Sequence, residues 1–242
     1  MTPGLARAVI LLATLVAAAG TARLGWWQLD RAAQKIRLQS ATQARQLLPP
    51  LAPALLARDA VGVPEQLHRR ISLQGRWLAE RTVYLENRQM NGRTGFYALT
   101  PLLLDDGSVV LVQRGWLPRD VADRTRIVAP PPPAGPVTID GQIAAGPSRL
   151  FEFAAEASGV IRQNLDPAAF ARETGLALRP VTVVQLASGD GAADGLLRQW
   201  PQPAADVQKH YGYAFQWFAL STLVVGLYVW FQLIRPRRAR HA

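Results

Sequence analysis

Apolar residues crowd the two ends of this chain, and between them the pattern changes to short alternating segments. Tyr211 to Ile234 are 24 consecutive positions without a charge. A helix needs about 20 mainly apolar residues to cross the hydrocarbon of a bilayer, so this run predicts a transmembrane helix over 211–234. The basic tail behind it, 235–242, contains Arg235-Pro-Arg-Arg-Ala-Arg240 and predicts a cytoplasmic end, because basic residues beside a span are retained there. The other run, Ala8 to Ala22, gives only 15 residues between Arg7 and Arg23, which is short for a crossing. It lengthens through Leu29 if Arg23 snorkels to the interface, and then predicts a first span over 8–29 behind a cytoplasmic 1–7. Trp26 and Trp27 suit an aromatic belt at its outer end. A second reading stays open: Arg7, a short apolar core and Gly20-Thr21-Ala22 also have the form of a cleaved signal peptide. Two spans would place both termini in the cytoplasm and residues 30–210 outside.

Beyond the first span the helical pattern continues to about Leu48, with Arg31, Lys35 and Gln39 forming a polar stripe at four-residue steps. Pro49, Pro50 and Pro53 end it. From Arg69 the period changes to two. Ile71, Leu73, Gly75 and Trp77 alternate with polar partners, and Thr82 to Leu85 follows. Asn91-Gly92 predicts a hairpin turn with positive φ at both positions. Phe96 to Leu104 reads as a strand that Pro101 should place at an edge or a bulge. Asp105-Asp106-Gly107 turns the chain into a strand from Val109 to Trp116.

Pro130 to Pro133 predicts a stiff connector. Strands follow at Val137–Ile143 and Arg179–Leu186. Between them Asp166-Pro167 and Gly175 mark a short helix, with Asp as N-cap, Pro at its first position and Gly past its end. Gly189 to Gly195 and Trp200-Pro201-Gln202-Pro203 then lead to the second apolar run. The expected fold is therefore a membrane protein whose two helices flank one β-rich α+β extracytoplasmic domain. Its strands would form an antiparallel sheet or a small barrel.

Charge changes this picture little. The net +10 suggests nucleic acid until it is divided: residues 30–210 hold 21 Lys+Arg against 17 Asp+Glu, a balance of +4. The other six arginines stand beside the spans, where anionic headgroups of membrane lipids explain them, and nucleic acid is not expected. Cysteine is absent, which excludes thiol catalysis and thiolate metal sites. His68, His210 and His241 are too far apart for a recognisable metal spacing. No phosphate loop, serine–histidine pairing or spaced carboxylates suggest an enzyme, and Asp105-Asp106 suits a turn better than catalysis.

Several blocks of residues resemble the surfeit locus protein 1 family. Leu24-Gly25-Trp26-Trp27-Gln28-Leu29-Asp30-Arg31 with Lys35 is similar to that family's opening motif. Asn87-Arg88, Asn91 to Phe96, Leu99 to Leu102, Asp106-Gly107, Leu111 to Pro118, Gln199 to Pro201 and His210 to Phe218 follow in the family's order between the same two spans. Residues 145–195 match least. The resemblance implies a chaperone-like accessory role in cytochrome c oxidase assembly and respiratory-chain biogenesis, at the cell inner membrane with the main domain periplasmic. It further implies that haem a is bound or handed over, that oxidase subunit 1 and the haem a synthesis machinery are partners, and that His210 is an iron ligand. A scaffold that binds oxidase subunits without cofactor is the alternative.

The residues offer both a binding and a structural reading. On a helix His210, Tyr213, Ala214, Trp217 and Ser221 share a face, and a small residue between aromatics could leave a slot for a flat ring. Imidazole is a common haem ligand, and Lys209, Arg23 and Arg31 could meet propionates. Equally, His210 could anchor the helix at the headgroups beside an aromatic belt. Arg88, Arg93 and Arg114 could contact a partner or propionate, or could pair with Glu86 and Asp106 to fix the sheet. In Arg114-Gly115-Trp116, Gly allows close backbone approach and Trp can fill the core. Trp27 and Gln28 read first as a membrane belt, in which the amide of Gln28 has no evident purpose.

Overall fold

The computed structural model describes residues 2–120, 122–123, 126–129, 131–151, 159–187, 194–201 and 207–235. The chain divides into two compact units, one of Met1–Ala41 with Pro203–Ala242 and one of Thr42–Gln202. Of the sequence features above, Pro130, most of the Gly189–Gly195 segment, Gln202, Pro203, Arg237, Arg238, Arg240 and His241 lie outside the described residues.

Helix α1 runs Pro3–Leu47 without interruption, and Pro49 and Pro50 follow its end. At 1.5 Å per residue its 45 residues extend about 67 Å, more than twice the hydrocarbon thickness of about 30 Å. At the other end α4 (Val207–Tyr228) passes into a π-helical stretch, Val229–Ile234. Both helices are long and apolar enough to cross a membrane.

The second unit is a β domain. Its strands are β1 (Arg70–Trp77), β2 (Val83–Met90), β3 (Arg93–Leu104), β4 (Val109–Pro118), β5 (Pro136–Ala144), β6 (Ile161–Arg162) and β7 (Leu178–Gln185). Two short helices accompany them, α2 (Val63–Gln66) and α3 (Pro167–Thr174). Five strands close on themselves in the order β1-β5-β7-β4-β3-β1, while β2 and β6 extend beyond β3. Every barrel pair is antiparallel except β4–β7, which is parallel. This is the order and sense of a Greek-key barrel of the OB type. The small barrel agrees with the alternation in the sequence; a wholly antiparallel arrangement does not, because β4–β7 and β2–β6 run parallel.

Closure depends on Gly75. A Cβ there would lie 2.4 Å from the carbonyl oxygen of Leu103, so glycine lets β1 leave β5 and press against β3. Ile71, Leu73, Leu102, Val110, Val112, Ile139, Ile143, Val181 and Val183 fill the interior, with Leu51 and Leu56 packed among them. A second cluster around Leu85, Leu99, Leu111, Trp116 and Phe170 brings α3 into the packing.

Pro101 is neither at an edge nor in a bulge. It pairs with Leu111 in a strand bonded on both sides, and the irregularity of β3 falls instead between Ala98 and Leu99. Pro101 stands where β3 changes neighbours: β2 pairs as far as Leu99 and β1 from Leu102. A missing N–H costs little at such a gap. The hairpin at Asn91-Gly92 has φ of 51° and 74°, as the dipeptide predicts.

Candidate functional site

In the helical unit α1 and α4 pack antiparallel along two stripes of matching spacing. The less exposed positions of α1 include Thr14, Ala18, Thr21, Gly25, Gln28 and Ala32; those of α4 include His210, Ala214, Trp217, Ser221 and Val224. Steps alternating between three and four keep each stripe facing its partner. Small side chains bring the backbones close. A Cβ on Gly25 would fall 2.8 Å from the Phe218 ring, and the Ser221 hydroxyl donates to the carbonyl of Ala18 at 3.0 Å. Trp26 meets Phe218 edge to face, with centroids 5.9 Å apart.

One polar pair lies in this seam. His210 Nδ1 and Gln28 Oε1 stand at hydrogen-bond distance, 2.7 Å, across 182 residues of sequence. An amide oxygen only accepts, so with the oxygen facing the ring a neutral His210 would carry its proton on Nδ1 and keep the lone pair on Nε2. Nε2 takes part in no hydrogen bond among the described residues. The contact supplies the purpose that Gln28 lacked in the sequence: a second polar group one helix away, visible only once the helices pair.

The other expected residues distribute around the pair. Trp217 is half-buried, whereas Tyr213 is 50% exposed. Ala214 between them is only 2% exposed, so its surface is covered and no open slot separates the two rings. Lys209 and Arg23 are exposed. Arg23, Trp26 and Trp27 line a cavity of about 550 Å³ with Gly20, Leu24 and Asp30, about a third of a turn around α1 from Gln28. Arg31 lies 5.6 Å above Trp27 and donates to Gln34, and Lys35 is half-buried beyond it.

Arg88, Arg114, Gly115 and Trp116 belong to the β domain. Trp116 is 1% exposed and its indole N–H donates to the carbonyl of Arg88 at 2.8 Å. A Cβ on Gly115 would sit 2.5 Å from that of Leu196. Arg88 is buried over Tyr97 and donates to the carbonyl of Gln163. Burial lowers its pKa, with the Tyr97 hydroxyl acting the other way. Arg114 is also lowered, chiefly by burial, although Asp194 opposes this. It shares the Asp194 carboxylate with Arg198, and its guanidinium stands 5.1 Å from the Trp77 ring. The expected pairing of these arginines with Glu86 and Asp106 is not formed. Arg119 takes Glu86, while Arg58 and Arg179 take Asp106. The choice follows position along the barrel: Arg179 opens β7 and stands beside the turn that holds Asp106.

Among the described residues no three His, Cys, Asp or Glu side chains gather as a metal site.

Comparison with known proteins gives a consistent result. A model described as the SURF1 family matches residues 15–222. The chain is 25% identical over 211 residues to a SURF1-like protein of Rickettsia bellii, covering 85% of this chain and 83% of that one. An uncharacterised SURF1-like protein of Mycobacterium bovis is 27% identical over 229 residues, 89% of this chain and 80% of the relative. The cytochrome oxidase assembly protein SHY1 of Saccharomyces cerevisiae is 31% identical over 96 residues, 39% of this chain and 24% of the yeast protein.

Proposed function

This chain belongs to the SURF1 family, and from that premise we propose that it is an accessory factor in cytochrome c oxidase assembly that holds haem a through His210. The assembly role is supported by the name of the yeast relative. The cofactor role is supported by one observation above others: Gln28 engages Nδ1 of His210, and Nε2 has no hydrogen bond among the described residues. Imidazoles that bind metals generally donate their other ring N–H to an acceptor, and this one does so with its partner in the same helical unit. When bound, haem a would supply the redox-active iron that the finished oxidase needs. The chain's own residues would hold and orient it, with Arg23 and Lys209 as the cations that meet its propionates, and would catalyse nothing.

The same reading sets the chain in the cell inner membrane as a two-span protein with its β domain in the periplasm. Oxidase subunit 1 and the haem a synthesis machinery would be its partners. The two long apolar helices support the membrane placement, since their outward side chains are exposed and apolar: Leu12, Leu15, Val16, Phe215 and Leu223 are each more than half exposed. The covered surface of Ala214 favours instead a scaffold that binds oxidase subunits without cofactor.

Purification of the full chain from cells that make haem a separates the two readings. Bound pigment whose spectrum changes in His210→Ala, while the protein still inserts, is the expected result. Colourless protein, or an unchanged spectrum in His210→Ala, would remove His210 as ligand. Deleting the gene should lower oxidase activity and spare respiratory complexes that lack haem a; unchanged oxidase activity in a strain without a second copy would remove the assembly role.

A further inference from the structure

We infer that Gln28 is a positioning residue that holds His210 in the Nδ1–H tautomer and so presents Nε2 to the iron. This rests on His210 being the ligand, as proposed above. The geometry is specific to the ring. The Gln28 oxygen faces Nδ1 at 2.7 Å and can only accept, so this orientation of the amide selects the ring with its proton on Nδ1. The tautomer that results is the one an axial ligand bonded through Nε2 needs.

A simple register pin would not require this residue. The Thr14 and Thr21 hydroxyls in the α1 stripe bond within their own helix, to the carbonyls of Ile10 and Ala17. Register along α4 is already fixed by the Ser221–Ala18 hydrogen bond and by the seating of Phe218 on Gly25. Gln28 is the single amide in the stripe, and its one hydrogen bond among the described residues goes to His210. Gly25 has a part in this, since its missing side chain allows the approach that lets an amide one turn later reach the ring.

The test uses the full chain, labelled with ¹⁵N-histidine in detergent, and His210→Ala assigns the resonance. In the wild type the neutral ring should be protonated at Nδ1. Gln28→Leu should move the proton to Nε2, whereas Gln28→Glu, which keeps an acceptor, should leave it on Nδ1. A wild-type ring protonated at Nε2, or a tautomer unmoved in Gln28→Leu, would overturn the inference without reference to haem.

Titration with haem a supplies the second readout. Gln28→Leu should weaken binding about tenfold to a hundredfold, the usual cost of losing an outer partner of a metal-bound imidazole. Gln28→Glu should bind, with an altered absorption spectrum. If His210→Ala changes the spectrum but Gln28→Leu matches the wild type in spectrum and affinity, the positioning role alone is lost. If His210→Ala changes nothing, the ligand reading fails and the positioning role falls with it.

Discussion

Asp106 shows how one side chain can tie several segments together. It accepts from Ser108, from Arg58 at 3.0 Å and from Arg179 at 2.6 Å, and Arg179 in turn donates to the carbonyl of Leu56. The segment after α1 is thereby fixed to the turn before β4 and to the start of β7. The Ser108 hydrogen bonds, aided by the two arginines, hold the Asp106 pKa down from 3.8 to about 2. A depressed carboxylate contributes stability that is fully present above its unfolded value and is lost as pH falls through its folded value. Thermal denaturation should therefore show a loss between pH 4 and pH 2 that Asp106→Asn does not share; equal pH dependence in the two proteins would remove this role. An arginine pairing of Asp106 was legible, but its partners were not: the sequence offered Arg88, Arg93 and Arg114, whereas Arg58 and Arg179 are more distant from it along the chain. Trp116 and Gly115 were more legible, since a large ring beside a glycine in an apolar strand has few places to go. Gly115→Val would force a branched side chain into Leu196 and should cost about 1–3 kcal/mol, read as a fall in Tm with the far-ultraviolet spectrum preserved.

At the scale of elements, local chemistry carried most of the fold and pairing carried the rest. Helix α3 was readable in full: Asp166 accepts from the backbone N–H of Ala169 at 2.7 Å, Pro167 opens the helix and Gly175 closes it at φ 70°. Asp166→Ala should cost about 1 kcal/mol, the ordinary price of an N-cap, and Asp166→Asn much less. Equal melting temperatures for Asp166→Ala and the wild type would show that the cap contributes nothing. Period-two alternation placed β1, and apolar runs bounded by turn residues placed β3, β4, β5 and β7 to within a few residues, although β3 and β4 are buried on both faces and carry no such period. The two-residue β6 carries no period and was missed. The parallel β4–β7 pair was missed for a different reason: sequence periodicity records which side of a strand is buried, never which strand lies beside it. The Gln28–His210 contact belongs with that class of miss, since each helix displayed its polar residue but not its partner.

Across the whole molecule, the net charge misleads until it is assigned to places. A balance of +10 on 242 residues suggests an anionic partner, yet the β domain is nearly balanced and, of its four buried arginines among the described residues, Arg114, Arg162 and Arg179 are each paired to a carboxylate. The arginines beside the apolar runs are the ones that orient a chain in a membrane. Because the chain has no cysteine, single probes can be introduced without background. Val61 is 87% exposed in the β domain, so Val61→Cys makes a probe that disturbs no packing. Ala242→Cys reports on the basic end. If both helices span and the basic end stays inside, an impermeant thiol reagent should label position 61 once the outer membrane is opened. It should reach position 242 only after the inner membrane is disrupted. Labelling of position 242 in intact inner membranes, or protection of position 61, would reverse the orientation. A mature chain beginning at Arg23 would establish the cleaved signal, and would leave Gln28 and His210 on a protein held by α4 alone.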